Sequence, residues 1–145
     1  MLPKYYRFHV VNNTGVTATL ADGAVFALRA SPWKFDSNGA LDNGTTITDD
    51  LGQAATLADG AASEGDVQDN TSNLYLGLNC TWTMTHDLDA AAGTWDLYIE
   101  TSDDNTNWPS DANDFVLAKD LEFVKSLTVD NTTTDRARSC NFAWE

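Results

Sequence analysis

Leu74-Tyr75-Leu76-Gly77-Leu78-Asn79-Cys80-Thr81-Trp82-Thr83-Met84-Thr85 places Leu74, Leu76, Leu78, Cys80, Trp82 and Met84 in one phase and Tyr75, Asn79, Thr81, Thr83 and Thr85 in the other. Successive side chains of a strand point to opposite faces, so this alternation predicts a β-strand with one dry face and one Thr-rich face. Twelve extended residues would reach roughly 40 Å at about 3.3 Å each, twice an ordinary strand, so Gly77 is expected to mark a bend or a bulge. After a polar turn at 86–93 the alternation resumes over 94–101, with Trp95, Leu97 and Ile99 apolar and Asp96 and Glu100 polar. Two such neighbours read as a hairpin, with Met84 opposite Trp95, Trp82 opposite Leu97 and Cys80 opposite Ile99. That is the plan of an antiparallel sandwich or barrel, a scaffold that more often binds or assembles than catalyses.

Outward from this block, residues 5–11 alternate Tyr6, Phe8 and Val10 against Tyr5, Arg7 and His9 before Asn12-Asn13-Thr14-Gly15 ends the strand. Residues 16–20 and 24–30 read as two further strands joined at Asp22-Gly23, which makes an N-terminal meander. Pro32 has no N–H to give a central ladder, so the chain is expected to leave the sheet at Ser31-Pro32-Trp33. Strand patterns return at 115–119, 121–129 and 140–144, the last rich enough in core residues to tie the end of the chain into a sheet.

Between these blocks, 36–73 is dominated by Gly, Asp, Asn, Ser, Thr and Ala, with Leu41, Ile47, Leu51, Leu57 and Val67 as scattered apolar anchors. It has room for at most two short strands or one helical turn, and a loop of that length is either functional or disordered until docked. Residues 18–24 recur as 55–61 without matching flanks, which reads as two similar Asp-Gly turns rather than a repeat architecture. The count comes to about seven to nine strands. The expected fold is all-β: a single domain over 1–145, an antiparallel β-sandwich or jelly roll with one long loop excursion at 36–73.

A chain of 145 residues has length for one buried core and too little for two. Hydrophobic residues make up 42%, including five Trp, six Phe and four Tyr, so the chain is expected to fold. Met1-Leu2-Pro3-Lys4 leads into a strand pattern without an apolar leader, and no apolar run is long enough to span a membrane, which fits a soluble protein made in the cytosol. The formal charge is −14, from 18 Asp and 4 Glu against 8 Lys plus Arg. Such a field repels phosphate backbones and anionic lipid, so nucleic acid and membranes are not expected partners. The excess of Asp has two compatible readings, turn-rich β-structure or adaptation to a saline setting. Cys80 and Cys140 fall in apolar phases and are expected as buried free thiols, and with only His9 and His86 beside them no zinc-ligand spacing exists.

No spacing of nucleophile and base, of paired carboxylates or of metal ligands is recognisable, so the chain reads as non-enzymatic, with no catalytic residue and no cofactor. His9 is expected at the surface of the first strand, and His86, ahead of Asp87 and Asp89, as a turn residue. Calcium is the one metal with plentiful oxygen donors: Asp36, Asn38 and Asp42 alternate with glycine turns but lack the terminal Glu of an EF-hand, and a pair of Asx turns explains them equally. Ser102-Asp103-Asp104-Asn105-Thr106-Asn107-Trp108 resembles the Ser-Asp-Gly-x-x-Trp hairpin tips of Asp-box turns and discoidin-like carbohydrate-binding domains, with Asn105 in place of the usual Gly. There the Trp mostly caps the core edge; the alternative for Trp108 is a glycan contact. Thr81, Thr83, Thr85 and Thr94 with Tyr75 and Tyr98 read as one flat polar face, either solvated or an interface. Leu41, Ile47, Leu51 and Leu57 would be wasteful in a disordered loop, so they are expected to order the excursion against another subunit.

Residues 5–15, the 33–41 run Trp33-Lys34-Phe35-Asp36-Ser37-Asn38-Gly39-Ala40-Leu41, the 69–77 stretch and the 97–103 strand with its Trp108 together resemble small β-rich virion structural proteins of tailed phages from aquatic hosts. The resemblance covers most of the chain and implies a capsid decoration or accessory subunit, a head fibre or a tail part. It also implies a place in the virion after synthesis in the host cytoplasm, and docking onto copies of itself and onto major capsid or tail proteins. A carbohydrate-binding or adhesin-like module using Trp108 or Trp33 is the alternative from another class.

Overall fold

The computed structural model describes residues 1–19, 26–51, 56–86, 92–112, 121–129 and 136–144. Its strands in chain order are β1 (Tyr5–Asn13), β2 (Ala18–Thr19), β3 (Phe26–Phe35), β4 (Leu41–Asn43), β5 (Ile47–Asp50), β6 (Thr56–Leu57), β7 (Ala62–Glu64), β8 (Gln68–Asp69), β9 (Gly77–His86), β10 (Gly93–Ser102), β11 (Glu122–Val129) and β12 (Arg136–Trp144), with a turn of 3-10 helix at Pro109–Ala112. One five-stranded sheet runs β11-β10-β1-β7, with β8 also on β1. The other runs β12-β9-β3-β4, with β5 also on β3, and β2 pairs separately with β6. Every pairing is antiparallel. The all-β sandwich expected from the alternation is the fold found.

The expected hairpin is not. β9 pairs with β3 and β12, β10 pairs with β1 and β11, and the two strands belong to different sheets. Their dry phases are nonetheless correct: Leu78, Cys80, Trp82, Met84, Trp95, Leu97 and Ile99 are all at most 3% exposed and share one core with Phe8 and Leu28. Period-two alternation fixes which face looks inward, while the ladder is made by backbone groups that are the same in every residue.

β9 starts at Gly77. Leu74 has φ +53 and is 55% exposed, because Asn70 turns the chain: its Oδ1 accepts from the Tyr75 N–H at 2.8 Å, and its carbonyl accepts from the Leu74 N–H at 3.1 Å. Gly77 is therefore a strand start, not a mid-strand bend, and its missing side chain has a reason: a Cβ there would lie 2.7 Å from the Trp33 ring.

The N-terminal meander does not form either, since β1 enters the first sheet, β3 the second, and β2 pairs with β6. Nor does Pro32 end its strand; β3 continues through it to Phe35. The Pro32 carbonyl accepts from the Gly44 N–H at 2.8 Å, so the side of Pro32 that lacks an N–H faces the corner where the outer chain passes from β4 to β5. No ladder bond is lost there. The two similar segments meet as well, with Thr19 opposite Thr56 and Ala18 opposite Leu57. Asp22-Gly23 lies outside the described residues, as does the strand expected at 115–119.

The excursion at 36–73 is not a bare loop: it carries strands paired within this chain. Five short strands line it, β4 and β5 on the edge strand side of β3, β6 on β2, and β7 and β8 on β1. Leu51 and Leu57 are buried in this chain's own core at 0% and 3%, and Ile47 packs against it. Strands of two to four residues hold too few alternations for a period to register, so their pattern reads as a loop. The excursion also stitches the two sheets: buried Asp49 on β5 accepts at Oδ1 from the Asp66 N–H at 3.0 Å, and Gly65 beside it bonds the Phe8 carbonyl at 2.8 Å.

Candidate functional site

Among the described residues, a group of buried charged side chains lies on the outward phase of the first sheet, where β1 and β10 set Arg7 opposite Glu100, with His9 two residues along. His9 is not at the surface as its polar phase suggested; it is 2% exposed, and β1 is buried on both faces. The segment after β10 folds back over this phase and brings Trp108 and Ser110 down onto it. Glu100 Oε2 accepts from Arg7 Nε at 2.7 Å, His9 Nε2 at 2.8 Å and Ser110 Oγ at 2.9 Å, and Oε1 accepts from the Ser110 N–H. Arg7 also donates from Nη2 to Ser110 Oγ at 2.9 Å and pairs with Glu64 at 3.2 Å.

Burial by itself would raise the Glu100 pKa, but the hydrogen bonds from Arg7, Ser110 and His9 together outweigh it and hold the carboxyl below the usual range. Burial pushes the His9 imidazole down against the pull of Glu100, so it is neutral at neutral pH. A general base needs a lone pair aimed at a substrate proton, and both oxygens of Glu100 are committed to protein donors. The cluster is a fastening: it ties the 3-10 turn to the sheet and satisfies a buried charge.

Trp108 belongs to the same fastening. The Arg7 guanidinium lies 4.4 Å from its ring centre and the residue is only 8% exposed, so it covers Arg7 on the outward side of the first sheet and offers little surface to a glycan. Ahead of it, Ser102 Oγ accepts from the Asp104 and Asn105 N–H groups, and Asp104 Oδ1 from those of Thr106 and Asn107, both at 2.9 Å. These bonds hold the Asp104 carboxyl far below its ordinary value, with that from Asn107 the largest. Asn105 has φ +60, the left-handed conformation that the usual Gly supplies.

The three calcium candidates sit on the β3–β4 hairpin. Asp36 Oδ1 accepts from the Asn38 N–H at 2.8 Å and the Ala40 N–H at 2.9 Å, an Asx turn completed by Gly39 at φ +80, while Asp42 lies in β4 opposite Lys34. Among the described residues no group of three or more His, Cys, Asp or Glu gathers to hold a metal. Cys80 is a buried thiol outside any disulfide; the side chains of Cys140 and His86, and residues Asp87 and Asp89, lie outside the described residues.

The expected single polar face is divided between the two sides of the sandwich. Thr94 and Tyr98 are on the first sheet. Thr81 and Thr83 are on the outward phase of the second, beside Asn79, Arg29 and Thr48, and Tyr75 precedes β9. Along β3 that phase continues past Pro32 into Trp33 and Phe35, whose rings meet edge to face at 5.9 Å. Phe35 pairs across the ladder with Leu41, and the two are 56% and 58% exposed. Of the four leucine and isoleucine positions expected at an interface, only Leu41 is presented outward. The sequence signal for Phe35 is the alternation Arg29, Ser31, Trp33, Phe35, which runs on through Pro32 because the strand does not end there.

No family model matches the chain, and no curated protein matches it. Two solved structures of a domain of unknown function, DUF4425, are similar over their full length. One, from Bacteroides vulgatus ATCC 8482, has 8% identity and a TM-score of 0.40 over 100% of this chain and 98% of that one. The other, from Bacteroides ovatus ATCC 8483, has 7% identity and a TM-score of 0.37 over 98% and 96%. At these values neither carries an argument about function.

Proposed function

We propose that this chain is a non-enzymatic virion structural subunit, a capsid decoration or accessory protein that docks through the outward face of its second sheet. The observation that carries this reading is the exposed pair Phe35 and Leu41, backed by half-buried Trp33, at the rim of a Thr- and Asn-rich face. Large apolar side chains grouped at the surface and bordered by polar ones mark interaction sites, and a rigid sheet holds them without an ordering cost on docking. The face ends at β4, beyond which no strand pairs among the described residues, so the partner also meets a free backbone edge. The charge of −14 keeps separate copies soluble before assembly. The partner is a major capsid or tail protein, or a further copy seated on the particle.

Mass spectrometry of purified phage particles from the native host tests the placement, which is abandoned if the chain is absent from them. Incorporation of the double variant Phe35→Ser, Leu41→Ser tests the face. The variant should fold and fail to join the particle; wild-type incorporation would move the docking surface elsewhere.

A further inference from the structure

A cleft of about 290 Å³ opens where the two halves of the excursion approach each other, between the β4–β5 corner at Thr45 and Ile47, Pro32 of β3, and the segment from Gln68 to Tyr75. Ligand pockets run from roughly 300 Å³ upward, so this one lies at the small end of that range and has room for a single sugar ring. Its wall is rigid. Buried Asn70 donates from Nδ2 to the Leu2 and Tyr75 carbonyls and accepts from the Tyr75 N–H, while Gly44 packs so closely on the Tyr75 hydroxyl that a Cβ would lie 2.2 Å from it. Tyr75 is thus a fixed ring at the edge of a polar cleft.

We infer that this cleft binds one neutral hexose-sized sugar unit, with the Tyr75 ring in its wall and Asp69 and Asn73 as its hydrogen-bonding rim. Asp69 is the charged residue of the lining. Its Oδ1 accepts from the Thr71 N–H at 2.8 Å and Oγ1 at 2.7 Å, which fixes the carboxylate, and Oδ2 accepts nothing among the described residues. An ionised carboxylate accepts hydroxyl donors and repels carboxylates and phosphates, as does a chain of charge −14. Cations are disfavoured for another reason: the Lys34 ammonium already stands 5.3 Å from the Tyr75 ring centre and donates to the Asn73 carbonyl at 3.0 Å. Ring carbons beside oriented carboxylate and amide groups, with the Asp69 and Lys34 charges offsetting each other at the rim, suit the apolar face and hydroxyl rim of a neutral pyranose.

The test is a titration of the isotope-labelled full chain, followed by amide NMR, with glucose, galactose, mannose and N-acetylglucosamine, and with glucuronic acid and glucosamine as charged controls. At least one neutral sugar should shift amides confined to 44–47 and 68–75, with the charged controls weaker. Asp69→Asn keeps the shape and should weaken binding about tenfold, the loss of one charge-assisted hydrogen bond. Tyr75→Phe should retain most of the affinity, since Gly44 already covers the hydroxyl that the substitution removes. A glycan array then separates a free monosaccharide from the terminal unit of a longer glycan, either of which satisfies the inference. Absence of localised shifts with every neutral sugar, equal binding of the charged controls, or unchanged affinity in Asp69→Asn would overturn it. None of these results bears on incorporation into particles, so the two readings fail separately.

Discussion

The outward faces of the two sheets begin with similar sequence material and end differently. On the first sheet the polar phase of β1 and β10 carries Arg7, His9 and Glu100, and the chain after β10 folds back to cover that stretch with Trp108 and Ser110. On the second, the polar phase of β3 and β9 carries Arg29, Asn79, Thr81 and Thr83, and it ends in exposed Phe35 and Leu41. A polar phase is therefore not a surface. Whether it becomes a sealed ionic fastening or an open docking face depends on a segment elsewhere in the chain that covers it or leaves it bare.

The largest effect should come from the sealed face. Glu100→Ala leaves the Arg7 guanidinium without its nearest buried counter-charge and should cost about 3 to 5 kcal/mol in urea unfolding. A loss below about 1 kcal/mol would mean that the cluster is solvated and that the contrast between the faces is false. Trp82→Ala, in the core between the two sheets, should cost a similar 3 to 5 kcal/mol or so through lost burial and the cavity left behind.

Acid should act on the same face. Both Glu100 and His9 have folded pKa values below their unfolded ones, so the stability each contributes is complete above its unfolded pKa and is lost as pH falls. For His9 that loss begins below about pH 6.5, and for Glu100 below about pH 4.3. Protonating the many surface carboxylates relieves repulsion and works the other way, so the informative quantity is the difference between wild type and Glu100→Gln across pH 7 to about 3. That difference should shrink as pH falls; a constant difference would show that Glu100 is not held as a carboxylate.

At the seam between the sheets, Gly65→Ala would set a Cβ 2.3 Å from the Asp49 carboxylate, and overpacking of this kind costs about 1 to 3 kcal/mol. Unchanged stability would show that the seam yields and that the stitching between sheet edges is slack. The smallest effects belong to the open face. Thr81→Ala, and Phe35→Ser with Leu41→Ser, should each shift stability by less than about 1 kcal/mol, because these side chains contribute little to the core. A large loss there would turn the docking face into part of the fold's own support.

Much of this architecture was legible, and the misses share a cause. The inward phases of β1, β9 and β10 follow from alternation, and so does the burial of Trp82 and Trp95. The turn at 102–107 was readable because Ser102 and Asp104 bond backbone groups two and three residues on. The cleft was invisible, since Pro32, Ile47, Asp69 and Tyr75 meet only when separate strands are laid side by side. The ionic fastening left one trace, an Arg and a Glu in the polar phases of two strong strands, which gains meaning only once β1 and β10 are known to be neighbours.

The sequence by itself determined that this is a β-protein, which side chains face inward, and where several of its turns close, because alternation and turn chemistry act over two to four neighbouring residues. Only the tertiary structure decided that β9 and β10 part company, that the excursion laces both sheets to each other, and that one polar phase is sealed while the other stays open. The physical reason is that backbone N–H and C=O groups carry no record of which strand they will pair with. That choice falls to the packing of the whole chain, where Trp82, Trp95 and Leu51 find a single core.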